Sequence, residues 1–464
     1  MMTDRGVVSA TGTRIDESVI EKFGAGLRGQ LLRPHDAAYD QARRLWNGMF
    51  DRHPALIARC AGAADVISAV NFARESRLHV AVRGGGHSFP GHSMCDGGIV
   101  IDLSLMKGIR VDPRARTARA EPGVRWLEFD QETQGFGLAT TGGTVSDTGI
   151  AGLTLGGGLG WLSNKHGLTI DNLISADVVT ADGRLLTASA SENDDLFWGL
   201  RGGSGNFGVV TSFQYRLHPV GPTIVGGMVL YPLSQAKDVL RFYRGFSKTA
   251  PDELTVYAGL ITTPDGVTVV GLIACYCGPV DKAADVVRPL KSLGSPALDV
   301  LGPMPYLAHQ RLVDEGFPTG ASYYTKADFL ADLTDEAIDV LVEYAARKPS
   351  PMSGILVQTT LGAAARIAPD ATAFPHRRLP YAPVIVSAWL DPAESAKNIA
   401  WARDCWTALH AHAGGGVYVN DLGPDDEDRI RAGYGANYER LAALKKKYDP
   451  SNFFHLNPNI KPVA

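Results

Sequence analysis

The residues most able to do chemistry in this chain are gathered around glycine. Arg83, Gly84, Gly85, Gly86, His87 and Ser88 follow an apolar run, Leu78 to Val82, and lead through Phe89, Pro90 and Gly91 to His92. Glycine takes positive φ readily and lets a ligand approach the main chain with no Cβ in the way. Successive N–H groups in such a bend cradle an anion, usually a phosphate, and His87 stands at the rim. Taken alone, the same residues also read as a tight turn with a solvated imidazole. A second block, Gly142 to Trp161, carries Gly142, Gly143, Gly149, Gly152, Gly156, Gly157, Gly158 and Gly160. Each glycine costs a helix close to 1 kcal/mol against alanine, so this block is expected to be irregular backbone wrapped around a large flat ligand. The interleaved Ile150, Leu153 and Leu155 argue against a plain surface loop. A third cluster, Gly203, Gly205 and Gly208, fits G-x-G-x-x-G, but a dinucleotide site needs a helix directly after those glycines. Val209 to Leu217 is β-branched and aromatic at strand spacing instead, so a Rossmann site is rejected.

The elements that must hold these loops follow from periodicity. Residues 1–26 read as a loose lead-in and a short helix, Tyr39 to Trp46 as a second helix, and Ala55–Arg59 as a strand. Asp65–Ser76 has helical spacing and precedes the strand Val80–Val82, so the first lobe reads as a βαβ-type unit. Gly98–Leu103, Ile109–Val111 and Thr117–Glu121 read as strands, and Val124–Gly135 as a helix. Ala176–Thr180 and Leu185–Thr187 form a hairpin about Asp182 and Gly183, before a helix at Glu192–Leu200. From about residue 222 glycine thins out, and long strands alternate with helices through His412. That pattern implies a mostly antiparallel sheet with helices on one face, the other face being free to wall a ligand. The tail reads as a helix from Tyr434, stopped at Asp449 and Pro450, then a strap, Asn452 to Ile460, packed back on the first domain. The fold class is α+β.

Composition excludes several partners. The 464 residues suffice for two or three domains, and a net charge of −4 gives no basic footprint for nucleic acid or an anionic membrane. Gly contributes 52 residues, above the usual share of about 7%. The five cysteines, at 60, 95, 275, 277 and 405, show neither a disulfide framework nor a zinc signature, which fits a reducing compartment. No export signal is read at the start and no apolar run spans a membrane. A cytoplasmic protein, monomeric or homodimeric and binding no metal, is expected.

Four motifs in order carry a resemblance to a known family: Arg83 to Ser88, Gly156 to Gly160, Gly205 to Val210, and the tail from Tyr448 to Asn452 with Asn457 to Ile460. Together they resemble the berberine bridge enzyme-like flavoproteins, within the vanillyl-alcohol-oxidase or PCMH type of FAD fold, over nearly the whole chain. Among bacterial members the chain is similar to the 6-hydroxynicotine oxidases and to flavin oxygenases that tailor polyketides. The resemblance implies a two-lobed FAD-binding domain over 27–220, a substrate domain over 221–414 and a strap over 415–464. It further implies that His87 bonds covalently to the flavin 8α-methyl. Many relatives add a second link through cysteine, but the matching position falls near Val145, where Thr144, Val145, Ser146 and Asp147 offer no thiol. A single link is expected. By the same resemblance Arg83, Gly84, Gly85, Gly86, His87 and Ser88 cradle pyrophosphate, while Gly143, Thr144, Thr148, Gly149 and Gly152 line the ribityl chain and pyrophosphate. Val210 reaches the adenine side, and Asn457 and Asn459 approach from the strap. His92 is either a cofactor contact or a polar surface residue.

The chemistry implied is removal of a hydride by FAD with dioxygen as acceptor, and the protein must take the substrate O–H or N–H proton. Relatives often use Tyr-x-Asn-Tyr, whereas here Tyr418, Val419 and Asn420 precede Asp421. Asp421 is either a base whose pKa is raised by desolvation or a turn residue leaving a strand. Tyr418 faces either pocket or core. Gln358 and Thr360 share one strand face, and Tyr323, Tyr324, Lys326 and Trp389 are pocket or packing residues. Leu159 stands where several sugar and alcohol oxidases have tyrosine or histidine, which implies a fairly apolar pocket. The expected activity is an FAD-linked oxidase acting on a small, fairly apolar metabolite. Flavin-dependent oxygen insertion, and a flavin-bound scaffold without turnover, stand as alternatives.

Overall fold

The computed structural model describes residues 6–463; the first five residues of the lead-in lie outside the described residues. The first sheet runs Gln30–Leu32, Leu56–Arg59, Ile99–Asp102, Val80–Arg83, parallel except at its first strand. Every residue of the inner strand Ile99–Asp102 is buried, as a parallel strand covered on both faces requires. Helix Ala63–Glu75 supplies one cover, burying Val66, Ala69, Val70 and Ala73 against it. The second lobe is an antiparallel sheet in the order Ile109–Asp112, Thr117–Ala120, Val209–Arg216, Leu173–Val179, Leu185–Ser189. Val209–Arg216 leaves Gly208 directly as a strand, so no helix follows the third glycine cluster.

The third sheet has eight strands, all paired antiparallel, and holds Thr223–Pro232, Thr268–Tyr276, Leu254–Thr262, Gly354–Thr359, Tyr381–Trp389 and Ser322–Ala327 in that order. Helices Ala236–Ser247, Ala283–Lys291, Asp335–Ala346 and Ser395–His410 bury their apolar stripes in a common core with one sheet face. Period-two alternation sorts the faces. Ile355 and Val357 join that core, while Leu356 and Gln358, together with Val384 and Val386, face the other way into a cavity.

Three local expectations are corrected. The block at Gly142–Trp161 is not wholly irregular: Ile150–Gly156 is a helix. Ile150, Ala151, Thr154 and Leu155 are buried along it, and that packing outweighs the glycine propensity cost. Gly157 and Gly158 then end it at φ 139° and 85°, values open to glycine but rarely to other residues. The helix expected over Tyr39 to Trp46 stops at Arg43, because Arg44 turns extended and the Trp46 N–H goes to the Gly86 carbonyl. The tail helix is broken at Gly435, φ 48°, into Ile430–Tyr434 and Tyr438–Tyr448.

Candidate active site

A cavity of about 330 Å³ lies where both lobes, the free sheet face and the strap meet. The strand Val80–Arg83 delivers the triple glycine to its wall. Gly86 adopts φ 74°, and a Cβ on Gly85 would lie 2.5 Å from the backbone of Gly149. The two glycine loops therefore lie main chain on main chain. Among the described residues the N–H groups of Gly85, Gly86, His87 and Ser88 donate to no protein acceptor. Four consecutive free donors in a bend with positive φ have the form of a backbone cradle for an anion.

Gly84, Gly85, Gly86, His87, Ser88, His92, Thr144, Thr148, Gly149, Gly152, Val210 and Asn457 all line the cavity. Arg83, Gly143 and Asn459 do not. The Arg83 guanidinium turns away and donates to the Ala42 carbonyl. The Gly143 carbonyl accepts from the Gln310 side chain, and the residue sits behind Leu153. Asn459 Oδ1 is buried away from the cavity, without a hydrogen-bond partner among the described residues. His92 is half-buried at the cavity wall: its N–H donates to Ser88 Oγ at 3.1 Å, and burial, aided by the Arg52 charge, lowers its pKa to about 4. It is neutral at physiological pH.

His87 is clamped. Its ring stacks on Trp46, centroids 4.8 Å apart and 17° between planes, and Trp46 stacks in turn on Tyr323 at 3.9 Å. Its Nε2 lies 3.1 Å from Asp147 Oδ2. Burial lowers the imidazole pKa in spite of that carboxylate, so the ring is held neutral. Of the other aromatic candidates, Tyr323 thus backs Trp46. Tyr324 and Lys326 bond to Asp425 on the far side of the sheet, and Trp389 bonds to Ser395 in the helix-side core.

All three catalytic candidates line the cavity. No strand precedes Asp421; it closes a 3-10 turn, Val419–Asp421, and its carboxyl has no ion-pair partner among the described residues. Burial raises its pKa to about 7. The Tyr418 hydroxyl accepts from the Gly158 N–H at 2.7 Å and from Asn420 Nδ2 at 2.8 Å. Burial raises its pKa as well, so the phenol stays neutral with its own O–H left to donate. Gln358 reaches the cavity from the sheet strand Gly354–Thr359. Trp46, Asn420 and Asp147 escaped sequence reading. Only Asn420, inside the Tyr-x-Asn pattern, carried a local signal.

The cavity fits FAD on its own chemistry. The free N–H cradle suits pyrophosphate, and Asn457 Oδ1 is a buried acceptor with no hydrogen-bond partner among the described residues. A Cβ on Gly152 would meet no atom within 4 Å, so that wall is kept open. Among the described residues no His, Cys, Asp or Glu cluster could hold a metal ion, and no helix is long and apolar enough to cross a membrane.

Comparison with known proteins agrees. A family model described as FAD binding domain matches residues 54–189, and one described as berberine and berberine like matches 417–461. An FAD-linked oxidoreductase of Dictyostelium discoideum is 34% identical over 96% of this chain and 97% of its own length. (R)-6-hydroxynicotine oxidase of Paenarthrobacter nicotinovorans is 29% identical over 94% of this chain and 97% of its own. The crystal structure of 6-hydroxy-D-nicotine oxidase from Arthrobacter nicotinovorans superposes with a TM-score of 0.87 at 28% identity, covering 94% of this chain and 99% of that one. With its glycine cradle, strap and free sheet face in this arrangement, the chain belongs to the berberine bridge enzyme-like FAD-linked oxidoreductases and is an enzyme of FAD-linked oxidation.

Proposed function

We propose that the enzyme is an oxidase of a small, fairly apolar metabolite, with FAD held by one covalent link to His87 and dioxygen as the final acceptor. The observation that carries this reading is Asp421, an ionisable carboxyl in the same cavity as His87, with a pKa brought to about 7 by burial. When bound, FAD supplies the hydride acceptor. The chain's own groups do the rest. Asp421 takes the O–H or N–H proton of the substrate, and a base poised near the operating pH is the most effective one. The Tyr418 O–H and the Gln358 amide orient the substrate's polar end. Leu159, Leu356, Val384 and Val386 give it apolar walls and exclude water, which is also what keeps the carboxyl's pKa high. Val145, at the cavity wall, offers no thiol for a second link. Because all five cysteines are free thiols, the reading includes a reducing, cytoplasmic setting.

The test is anaerobic reduction of the yellow enzyme against a metabolite panel, followed by peroxide detection on admitting air. Bleaching by a small apolar alcohol or amine, with peroxide afterwards, is expected. Bleaching only by large polar substrates such as oligosaccharides, or no peroxide on reoxidation, overturns the reading.

A further inference from the structure

The contacts around His87 assign a task to a residue that the hydride chemistry leaves unused. We propose that Asp147 is the positioning residue that prepares His87 to form its bond to the cofactor. The inference rests on the reading of His87 as the point of attachment and adds how this chain makes that attachment possible.

A bond from imidazole to the 8α carbon needs a neutral ring, a lone pair on the attacking nitrogen and a fixed ring plane. Trp46 fixes the plane by stacking. The carboxylate 3.1 Å from Nε2 selects the tautomer carrying its proton there, which leaves the lone pair on Nδ1. Asp147 is itself held ionised. Burial would raise its pKa, but the His87 hydrogen bond and the Arg125 charge outweigh burial and lower it. Arg125 is in direct contact with Asp147 Oδ1. The His87 ring is only 12% exposed, whereas Asp147 is 38% exposed, so the carboxylate keeps enough water contact to stay charged beside an imidazole that burial keeps neutral.

The loop that carries Asp147 is tied down on both sides. Ser146 N–H and Oγ donate to Asp314 at 2.8 and 2.6 Å. The carbonyls of Ser146 and Thr148 accept from Leu127 and Trp126 at the start of the helix Trp126–Gln134, whose N-cap is Arg125. The carboxylate is therefore placed by the helix Trp126–Gln134 on one side and by Asp314, from the segment after the second lobe, on the other. Such a second residue behind a reacting histidine fixes tautomer and orientation and raises its basicity.

The step balances with dioxygen as the oxidant. The bond formed joins His87 Nδ1 to the 8α carbon. One hydrogen is lost from the 8α-methyl and one from imidazole Nε2, the latter as a proton to Asp147. The two electrons pass through the flavin to dioxygen, which takes up both protons and leaves as hydrogen peroxide.

The experiment measures acid-stable flavin as a share of total flavin in purified enzyme, and its growth during aerobic incubation with added FAD, for the native chain, Asp147→Asn and Asp147→Glu. The native chain is expected to hold its flavin acid-stably. Asn accepts a hydrogen bond but takes up no proton, so Asp147→Asn should bind FAD in normal amount and form the adduct at least about tenfold more slowly. Asp147→Glu should recover a substantial part of the rate, a rescue that a merely structural residue would not show. Adduct formation at the native rate in Asp147→Asn overturns the proposal. So does a variant with no flavin at all, since Asp147 would then serve binding rather than bond formation. A native chain with no acid-stable flavin, by contrast, refutes the attachment at His87 itself.

Discussion

Burial acts on Asp421 and His87 with opposite consequences, raising an acid and lowering a base so that both tend to neutrality inside the cavity. For Asp421 the result is a switch near pH 7. Flavin reduction should rise tenfold per pH unit below about 7 and level off above it. Asp421→Asn should slow flavin reduction at least about 100-fold and abolish that rise, as stopped-flow absorbance would show. A stability consequence follows with the opposite sign. The carboxyl's pKa is raised on folding, so the folded chain keeps its proton while the unfolded chain releases it. Asp421 then costs stability progressively from its ordinary value near 4 up to about 7, and by a constant amount above. Asp421→Asn should therefore melt higher than the native enzyme at pH 8, by the equivalent of a few kcal/mol, and at the same temperature below pH 4. The sequence shows less of what surrounds these residues. Asp147 is 60 residues from His87 and Trp46 is 41 away, and neither lies in a local pattern. The stretch holding Asp147 was informative only for its missing thiol. Arg83, Gly143 and Asn459 stand next to true lining residues but point elsewhere, a distinction set by tertiary partners.

At the scale of elements, the site depends on two glycine loops meeting main chain to main chain. The cost of a methyl group there is geometric: on Gly149 it would lie 2.5 Å from the Gly85 nitrogen, and neither backbone is free to yield as a flexible side chain would. Gly149→Ala should fold but take up little flavin, read as the ratio of visible to ultraviolet absorbance. Gly152→Ala, where a Cβ meets nothing in the protein, should fold as well as the native chain. The loops were legible because glycine type and spacing are themselves the signal. The helix Ile150–Gly156 was not, since its stability comes from buried Ile150, Thr154 and Leu155, a tertiary contribution that propensity does not see.

For the whole molecule, three separate stretches of chain must close on one cavity, and the strap is the last of them. Lys445 pins it. The ammonium is fully buried and donates to Asp449 at 2.7 Å and to the carbonyls of Asn206 and Phe454, both at 2.8 Å. Lys445→Met removes the buried cation paired with the Asp449 carboxylate, so it should cost about 3–5 kcal/mol, seen as a lower urea midpoint. The antiparallel sheet with helices on one face was readable from period-two strands alternating with helices, and the strap's return to the first domain from the helix stop at Asp449 and Pro450 with the mixed segment after it, whereas its contact with the cofactor was anticipated only through the family resemblance. The most direct test of the central claim is acid precipitation of the purified native enzyme and of His87→Ala, followed by intact mass. The account predicts a yellow native pellet, heavier than the polypeptide by one FAD less two hydrogens, and a white His87→Ala pellet of bare polypeptide mass. A native pellet at bare polypeptide mass, or an acid-stable adduct in His87→Ala, would contradict it.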